Sequence, residues 1–525
     1  MLAARGMAFT ALLALSFAAS AAEGPDTPLP HPVAEPAPVD WSTLAYVEPA
    51  PTYRLRLGLE ELFGVTAALI GYTIQDPPDA LPGIARPYYP WKKLTFQPGT
   101  WTFDADDFGT NMAGHVSAGT VYYLIARGNR VSIPEAFAWT FAASLLWEVV
   151  EFKEPVSIND QVMTSVGGLA LGEAFQQLST WFDRGGGDPI SQAFAFLFSP
   201  AKKLHDWIDR TVPDRDPRAR GWHEFTLLGG MGVLAQSASG NAYTVFRVAG
   251  ETRLFRAPGY GEPGKGRFGW GDGNASRIAL GATFTGSSVV DYLFDTETAL
   301  AGLYVREITG DAASVDAPSG PSAGRDAFVS RDGIDLFVAG TVGYEYGVHR
   351  WNLATGVPNS IALVRLPGLA LRVRGFVGAF VLSAGVDASL TFGGVQPFAL
   401  QPPPVFLPEG TALPSVLLAN GYYFAIGFRG APSAEVRWRE AAVGASMQVD
   451  VLGALTSPDI VPQPGAMLAL DDQRWSATAW ARWRFEEIPI ELGITGQWRS
   501  RSGTAGDLHA SEQERSLLGN LAVVF

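Results

Sequence analysis

The sequence contains no cysteine among its 525 residues. This absence excludes a disulfide scaffold, a thiol enzyme and a metal site with cysteine ligands. Charged residues are also scarce, at 17% of the chain, whereas typical globular proteins have about 25%. The formal net charge is −14, and a nucleic-acid-binding protein needs a basic face, so that class of function is excluded as well.

What the sequence has in excess is apolar surface. Hydrophobic residues make up 47% of the chain and the mean hydropathy is +0.10. No mature part of the chain reads as a bundle of membrane-spanning helices. The length alone suggests two to four structural units, so the apolar surplus has to be assigned to one or more of them.

The first residues predict export. Arg5 supplies a positive start, Ala8–Ala19 is an apolar run too short to span a bilayer, and Ala19–Ala22 offers small residues for cleavage. We therefore interpret residues 1–22 as a signal peptide. Residues 23–52 are rich in proline and predict an extended tether.

From about Trp222 onward, apolar and polar residues alternate. Ile490, Leu492 and Ile494, for example, fall on one face of a strand whose other face is polar. The candidate strands are 222–234, 241–248, 276–285, 299–308, 334–349, 369–378, 380–392, 443–451, 475–485, 489–499 and 517–525, with 420–440 as one strand or two.

Several features favour a transmembrane barrel over a soluble sandwich. The candidate strands have about ten residues, many end in aromatic residues, and short connections alternate with long polar ones such as 456–473 and 500–514. Residues 394–418 are expected to form a long outer loop or a partial plug. We expect an antiparallel transmembrane β-barrel of roughly 10–12 strands over residues 221–525, in contact with outer-membrane lipid. The terminal Phe525 resembles the signature that the outer-membrane assembly machinery recognises, which implies that machinery as a partner.

Residues 53–220 have a different pattern and predict a buried helical domain, so the fold class is α+β. Three helices are expected, at 108–127, 134–152 and 159–182, with capping patterns at Ser132 and Ser157. The second is apolar around almost its whole circumference, which is typical of a helix buried in protein or lipid. Gly167, Gly168 and Gly172 would let helices approach closely.

The few polar residues of these helices form narrow seams. The first helix carries Asn111, His115 and Tyr122 on one seam, and the second carries Ser144, Glu148 and Glu151. Buried carboxylates are costly unless they are paired or bound. We therefore expect the seams to face inward and to meet there, with Arg127, Asp160 and Glu173 as supporting polar residues.

Three interpretations of this cluster stay open. It is a polar network that locks the helices together, a lipid or small-ligand headgroup site, or a reactive site in which His115, Glu148 and Glu151 are catalytic or hold a divalent metal. The acidic run Asp104, Asp106 and Asp107 reads as helix capping. No motif for a known hydrolase, nucleotide or dinucleotide site is present.

The pattern Asp107-x-x-x-Asn111-x-x-x-His115-x-x-x-Gly119, followed by Trp147-Glu148-x-x-Glu151 and Gly172-Glu173, resembles a bacterial family known as domain of unknown function 3943. The resemblance covers about Trp91 to Trp181 and departs from the family pattern at Val116, where proline is expected. It implies an exported envelope protein and supplies no reaction.

Together these features predict an outer-membrane barrel whose helical domain faces the periplasm or the barrel lumen. The expected role is non-enzymatic, as an envelope, pore or structural protein. The alternative is a membrane-embedded hydrolase or transferase that acts on lipid or cell-wall material through the His/Glu cluster.

Overall fold

A computed structural model describes residues 51–75, 90–104, 106–151, 154–184, 188–211, 221–257, 259–271, 273, 275–286, 288–310, 330–400, 417, 420–455, 470–485 and 488–525. The expected signal peptide, and the tether up to residue 50, lie outside the described residues. The described chain has an all-helical first part and a β-sheet second part.

Seven helices form the first part, and we call them together the helical unit. They are α1 (Arg54–Gln75), α2 (Pro90–Leu94), α3 (His115–Gly128, preceded by a π-helical turn, Thr110–Gly114), α4 (Ile133–Val150), α5 (Ile158–Val162, then a π-helical turn, Met163–Gly167, then Gly168–Asp183), α6 (Pro189–Phe198) and α7 (Pro200–Ile208). Two short parallel strands, β1 (Trp101–Thr102) and β2 (Val156–Ser157), tie α2 to the start of α5.

Local sequence explains where these helices begin. The Ser132 hydroxyl accepts a hydrogen bond from the Glu135 amide at the start of α4, and Ser157 does the same for Asp160 at the start of α5. α1 was not expected from the sequence. Within the described residues, its segment Arg54–Ile74 is the one helix long and apolar enough to cross a membrane, judged by length and composition.

The second part has thirteen antiparallel strands among the described residues, and twelve of them form a closed barrel. The strands are β3 (Trp222–Gln236), β4 (Ala242–Phe255), β5 (Gly264–Trp270), β6 (Ala275–Thr285), β7 (Ser288–Gly310), β8 (Arg331–His349), β9 (Asn359–Gly378), β10 (Phe380–Val395), β11 (Tyr423–Trp438), β12 (Ala441–Ala454), β13 (Leu470–Arg484), β14 (Ile490–Ala505) and β15 (Leu508–Val524). The ring runs β7-β6-β4-β3-β15-β14-β13-β12-β11-β10-β9-β8 and closes where β8 pairs with β7, while β5 pairs with β7 beside the ring.

The two faces of the barrel wall differ sharply in chemistry. Outward positions carry exposed apolar side chains, such as Met231, Ile426 and Ile494. Inward positions carry charged side chains that pair with one another, such as Arg429 with Asp450 at 2.6 Å. An apolar outer face and a polar interior are the properties of a transmembrane barrel, so the predicted fold class is confirmed.

Ion pairs cross the lumen and join opposite walls. Arg474 on β13 lies 2.6 Å from Glu345 on β8, and Arg499 on β14 lies 2.6 Å from Asp291 on β7. Each pair links strands that are five positions apart in a ring of twelve, where six would be directly opposite. His349 Nε2 on β8 and the Glu514 carboxylate on β15, at the same spacing in the ring, are 2.9 Å apart. The walls therefore touch, and the lumen is filled at these levels.

Both ends of the lumen also hold side chains. Near the end where β11 begins, a 3₁₀ turn, Phe398–Leu400, packs inward, with the Phe398 ring beside Trp351 and Arg501. At the end that holds Phe525, the aromatic rings of Phe255, Tyr260 and Phe337 cluster, and the Arg374 guanidinium lies 4.0 Å from the centre of the Tyr260 ring. The expected partial plug at 394–418 is thus seen in its first residues, and 401–416 lie outside the described residues.

Several expected boundaries were wrong. The polar stretch 500–514 is not a long loop, because β14 continues to Ala505 and β15 begins at Leu508. Alternate residues of this stretch face the lumen, where Arg501 pairs with Asp472. β5 and the first half of β7 were missed, and 420–440 contains one long strand, Tyr423–Trp438.

Small residues bring α3 and α5 into backbone contact. A Cβ added at Gly119 would lie 1.8 Å from the Thr164 carbonyl oxygen, and one added at Gly168 would lie 2.5 Å from the Gly119 carbonyl carbon. A Cβ at Gly172 would lie 2.6 Å from the Tyr123 ring. The expectation that Gly167, Gly168 and Gly172 allow a close approach agrees with this geometry.

The helical unit packs on the outward face of the barrel wall. The Phe103 ring packs against Phe424, which lies on the same outward face of β11 as the exposed Ile426. Trp181 contacts Phe225, which lies on the same outward face of β3 as the exposed Met231. The hydroxyl of Tyr344, whose neighbour Glu345 faces the lumen, donates to the Met112 carbonyl at 2.6 Å. These contacts involve outward-facing wall residues, whereas the ion pairs described above lie in the lumen.

Replacing Gly168 with alanine should destabilise the helical unit by about 1–3 kcal/mol, because the added methyl meets backbone that cannot move aside. Thermal unfolding followed by the helical circular-dichroism signal would measure this. Gly71→Ala in α1, where a Cβ meets nothing within 4 Å, is the control and should equal or exceed the wild type. A Gly168→Ala variant as stable as Gly71→Ala would contradict the close packing.

Candidate functional site

One buried cluster in the helical unit combines an imidazole with two carboxylates. Asp104 follows β1, Asp160 lies in the first turn of α5 directly after β2, and His115 begins α3. Because β1 and β2 are parallel neighbours, Asp104 and Asp160 leave the two strands at the same end. We call Asp104, His115 and Asp160 the acid–histidine cluster.

The groups of this cluster are in direct contact. His115 Nε2 lies 3.2 Å from Asp160 Oδ2, and one ligand atom from each of the three side chains lies within 4.8 Å of the others. The Asp104 carboxyl also lies close to that of Asp160 and raises its pKa. Two carboxyls in contact require a shared proton or a cation between them.

Asparagines hold the carboxylates in place. Asn159 Nδ2 donates to Asp104 at 3.0 Å and to Asp160 at 2.8 Å, and Asn111 Nδ2 donates to Asp104 at 2.6 Å. Asn111 Nδ2 also donates to the hydroxyl of Tyr422, directly before β11, at 2.7 Å. The cluster is therefore connected to the barrel wall.

Two π-helical turns lie at the cluster. The first contains Asn111 and leads into His115, and the second contains Thr164, whose hydroxyl lies 3.4 Å from His115 Nδ1. Such turns are frequent at functional sites, because they displace side chains from the regular helical positions.

Burial shifts the ionisation of these groups. It raises the pKa of Asp160 well above the usual range, and the Asp104 carboxyl adds to this shift. Burial also lowers the pKa of His115, against the attraction of Asp104. Burial raises the pKa of Glu148 to about 8; the Ser157 amide and Lys93 oppose the shift, and Glu151 and Asp104 add to it. Without a bound cation, burial therefore favours a neutral His115 imidazole and protonated Asp160 and Glu148 carboxyls at neutral pH.

The expected catalytic glutamates lie beside the cluster rather than in it. Glu148 Oε2 accepts a hydrogen bond from the Ser157 amide at 2.7 Å, which fixes the start of α5. Glu151 ends α4. The buried Lys93 ammonium donates to the backbone carbonyls of both residues, so it satisfies the C-terminal end of α4.

The other predicted polar residues are separate from the cluster. Arg127 pairs with Glu173 at 3.0 Å, and Tyr123 donates to the same carboxylate at 2.9 Å, forming a second buried network between α3 and α5. Tyr122 faces Gly64 of α1, and Ser144 is buried within α4. The predicted single seam thus divides into the acid–histidine cluster and the Arg127–Glu173 network.

Sequence reasoning missed Asp104, Lys93, Asn159 and Tyr422. Asp104 was interpreted as helix capping, although its neighbour Asp107 performs that role by accepting from the Gly109 and Thr110 amides. Asn159, which directly precedes Asp160, was the one available signal in the sequence. Like Asn111, it places a side-chain amide next to a carboxyl group that is expected to be buried. Nothing in the pattern could have pointed to Tyr422, which is 311 residues from Asn111.

Residues 100–201 match the family model described as Domain of unknown function (DUF3943). This segment is a DUF3943 domain. It contains the whole acid–histidine cluster and runs from β1 to the start of α7, while the barrel lies outside the matched segment.

Solved structures similar to this chain are outer-membrane barrels. They include OmpT of Vibrio cholerae (7% identity, TM-score 0.19, 58% of this chain and 97% of that one) and the translocator domain of the autotransporter NalP from Neisseria meningitidis (9%, 0.20, 57% and 88%). The CymD monoaromatic hydrocarbon channel is a third (9%, 0.19, 59% and 91%). No curated protein matches the sequence. Because these TM-scores are low, the similarities support no further conclusion. The assignment as a barrel rests on the ring of twelve strands in this chain.

Proposed function

We propose that this protein is a non-conducting outer-membrane barrel that anchors the DUF3943 domain in the membrane, with a structural rather than a pore role. The observation that supports this role is the contact between opposite walls. Ion pairs such as Arg474–Glu345 and Arg499–Asp291 occupy the space that a channel would need.

The proposed position of the helical unit is the lipid phase beside the barrel. Its docking contacts use outward-facing strand residues, as described above. Its remaining surface is also apolar: Phe141 and Leu146 of α4 are 42% and 38% exposed, and most of the apolar face of α1 is uncovered. Large exposed apolar surfaces mark contact with lipid or with another protein, and here they continue the apolar wall of the barrel.

A second candidate function is a membrane-embedded hydrolase or transferase that acts on lipid. The observation that favours it is the acid–histidine cluster, because it places a neutral imidazole next to a carboxyl group, and both groups can transfer protons. His115 would be the base and Asp160 the group that orients it.

Purified wild-type protein in planar bilayers should give no steady conductance. A variant with Asp291, Glu345, Arg474 and Arg499 all replaced by alanine keeps the same net charge, removes two of the ion pairs that join the walls, and should conduct ions. Replacing the exposed pair Lys265–Glu307 by alanine is the control and should leave the barrel closed. Steady wild-type conductance would show that the barrel is a pore.

The position of the helical unit can be tested with spin labels, since a chain without cysteine accepts single labels cleanly. In vesicles, labels at Phe141→Cys and Leu146→Cys should collide more with lipid-soluble oxygen than with a water-soluble nickel chelate. They should match Ile494→Cys on the outer wall and differ from Thr355→Cys in an exposed turn. Behaviour like that of Thr355→Cys would place α4 in water.

The enzyme candidate predicts that the wild type converts a component of outer-membrane lipid vesicles and that His115→Gln does not. Mass spectrometry of the lipids after incubation would detect the product. Asp183→Asn, which alters a buried carboxylate paired with Lys202 and Lys203, is the control and should retain activity. Identical lipid profiles with and without the wild-type protein would exclude this function for those lipids.

A further inference from the structure

The acid–histidine cluster has the spacing of a metal site. A divalent ion with bonds of about 2.1 Å places neighbouring ligand atoms about 3.0–3.4 Å apart. His115 Nε2 and Asp160 Oδ2 are 3.2 Å apart, and Asp104, His115 and Asp160 each have one ligand atom within 4.8 Å of those of the other two. An ion could therefore be held with only small movements of these side chains.

A second observation points independently to a cation. Asn111 is 0% exposed, and its carbonyl oxygen Oδ1 has no hydrogen-bond partner among the described residues. The nitrogen of the same amide donates to Asp104 and to Tyr422, so the amide is fixed at the edge of the cluster. A buried acceptor without a partner is costly, and a bound cation would satisfy it.

We propose that Asp104, Asn111, His115 and Asp160 bind one divalent transition-metal ion. The donor set is one imidazole nitrogen, two carboxylates and one amide oxygen. Nitrogen and oxygen ligands of this kind suit Zn²⁺ or Mn²⁺, whereas softer metals prefer sulfur ligands. This inference concerns binding alone and does not depend on either proposed function.

The surroundings of the site resemble the support that metal ligands need. The second nitrogen of His115 lies 3.4 Å from the Thr164 hydroxyl, and Asn159 bonds to both carboxylates. Such outer partners orient the ligands, and losing one commonly lowers metal affinity 10- to 100-fold. Tyr422 acts in the same way on Asn111, and its own hydroxyl donates to the Asp106 carbonyl at 2.8 Å. Tyr422 is a positioning residue, and through it the metal site depends on helix–barrel docking.

The test uses the full-length chain, purified in detergent, stripped with chelator and titrated separately with Zn²⁺, Mn²⁺ and Mg²⁺. We expect one Zn²⁺ or Mn²⁺ per chain by elemental analysis, with a raised melting temperature of the helical unit. Asp160→Asn and His115→Gln should lose the ion. Tyr422→Phe should bind it about 10- to 100-fold more weakly.

Two controls separate lost binding from lost folding. Heat-modifiable mobility on gels reports the folded barrel of each variant, and the helical circular-dichroism signal reports the helical unit. Asp183→Asn, a change at a buried carboxylate of the same unit far from the cluster, should bind the ion like the wild type. The proposal is overturned if the wild type binds none of the three ions, or if folded Asp160→Asn binds them as tightly as the wild type. Preference for Mg²⁺ alone would overturn the assignment to a transition metal.

Discussion

The contact between opposite barrel walls governs the rest of this structure. Charged side chains on a transmembrane strand can face only the lumen, and there they need partners. In this chain some of the partners come from the far wall, as in Arg499–Asp291 and Arg474–Glu345. These pairs occupy the interior, and the helical unit contacts outward-facing residues of the wall.

In the proposed position in lipid, the helical unit has to be held together without much help from the hydrophobic effect. In lipid, helices associate through close packing and internal polar bonds rather than through escape from water. Gly119 and Gly168 supply the close approach, and the Arg127–Glu173 network and the acid–histidine cluster supply the polar bonds. A helix in such a unit needs polar side chains toward its neighbours and apolar side chains toward lipid. The inward polar seam and the outward apolar side chains of α4 meet these two needs.

Much of the architecture could be predicted from the sequence, because apolar and polar residues alternate along each strand and so mark its two faces. Alternation found most strands, and the capping patterns at Ser132 and Ser157 located two helices. Strand ends were predicted poorly, since inward-facing residues such as Arg501 are as polar as loop residues. In the site, His115, Asn111 and Asp160 were recognised from helical spacing. Asp104 and Tyr422 join them through tertiary contacts alone, which no local pattern records.

The connection between Asn111 and Tyr422 has a consequence for biogenesis. The two residues are 311 positions apart, and the helices are synthesised before any strand on which they dock. Contacts so distant in sequence form late, because the loop between them must close first. A newly made chain therefore carries an uncovered apolar helical face until β8–β11 are in place, and it needs protection from aggregation during that interval. Docking of the DUF3943 domain on these strands then follows their formation.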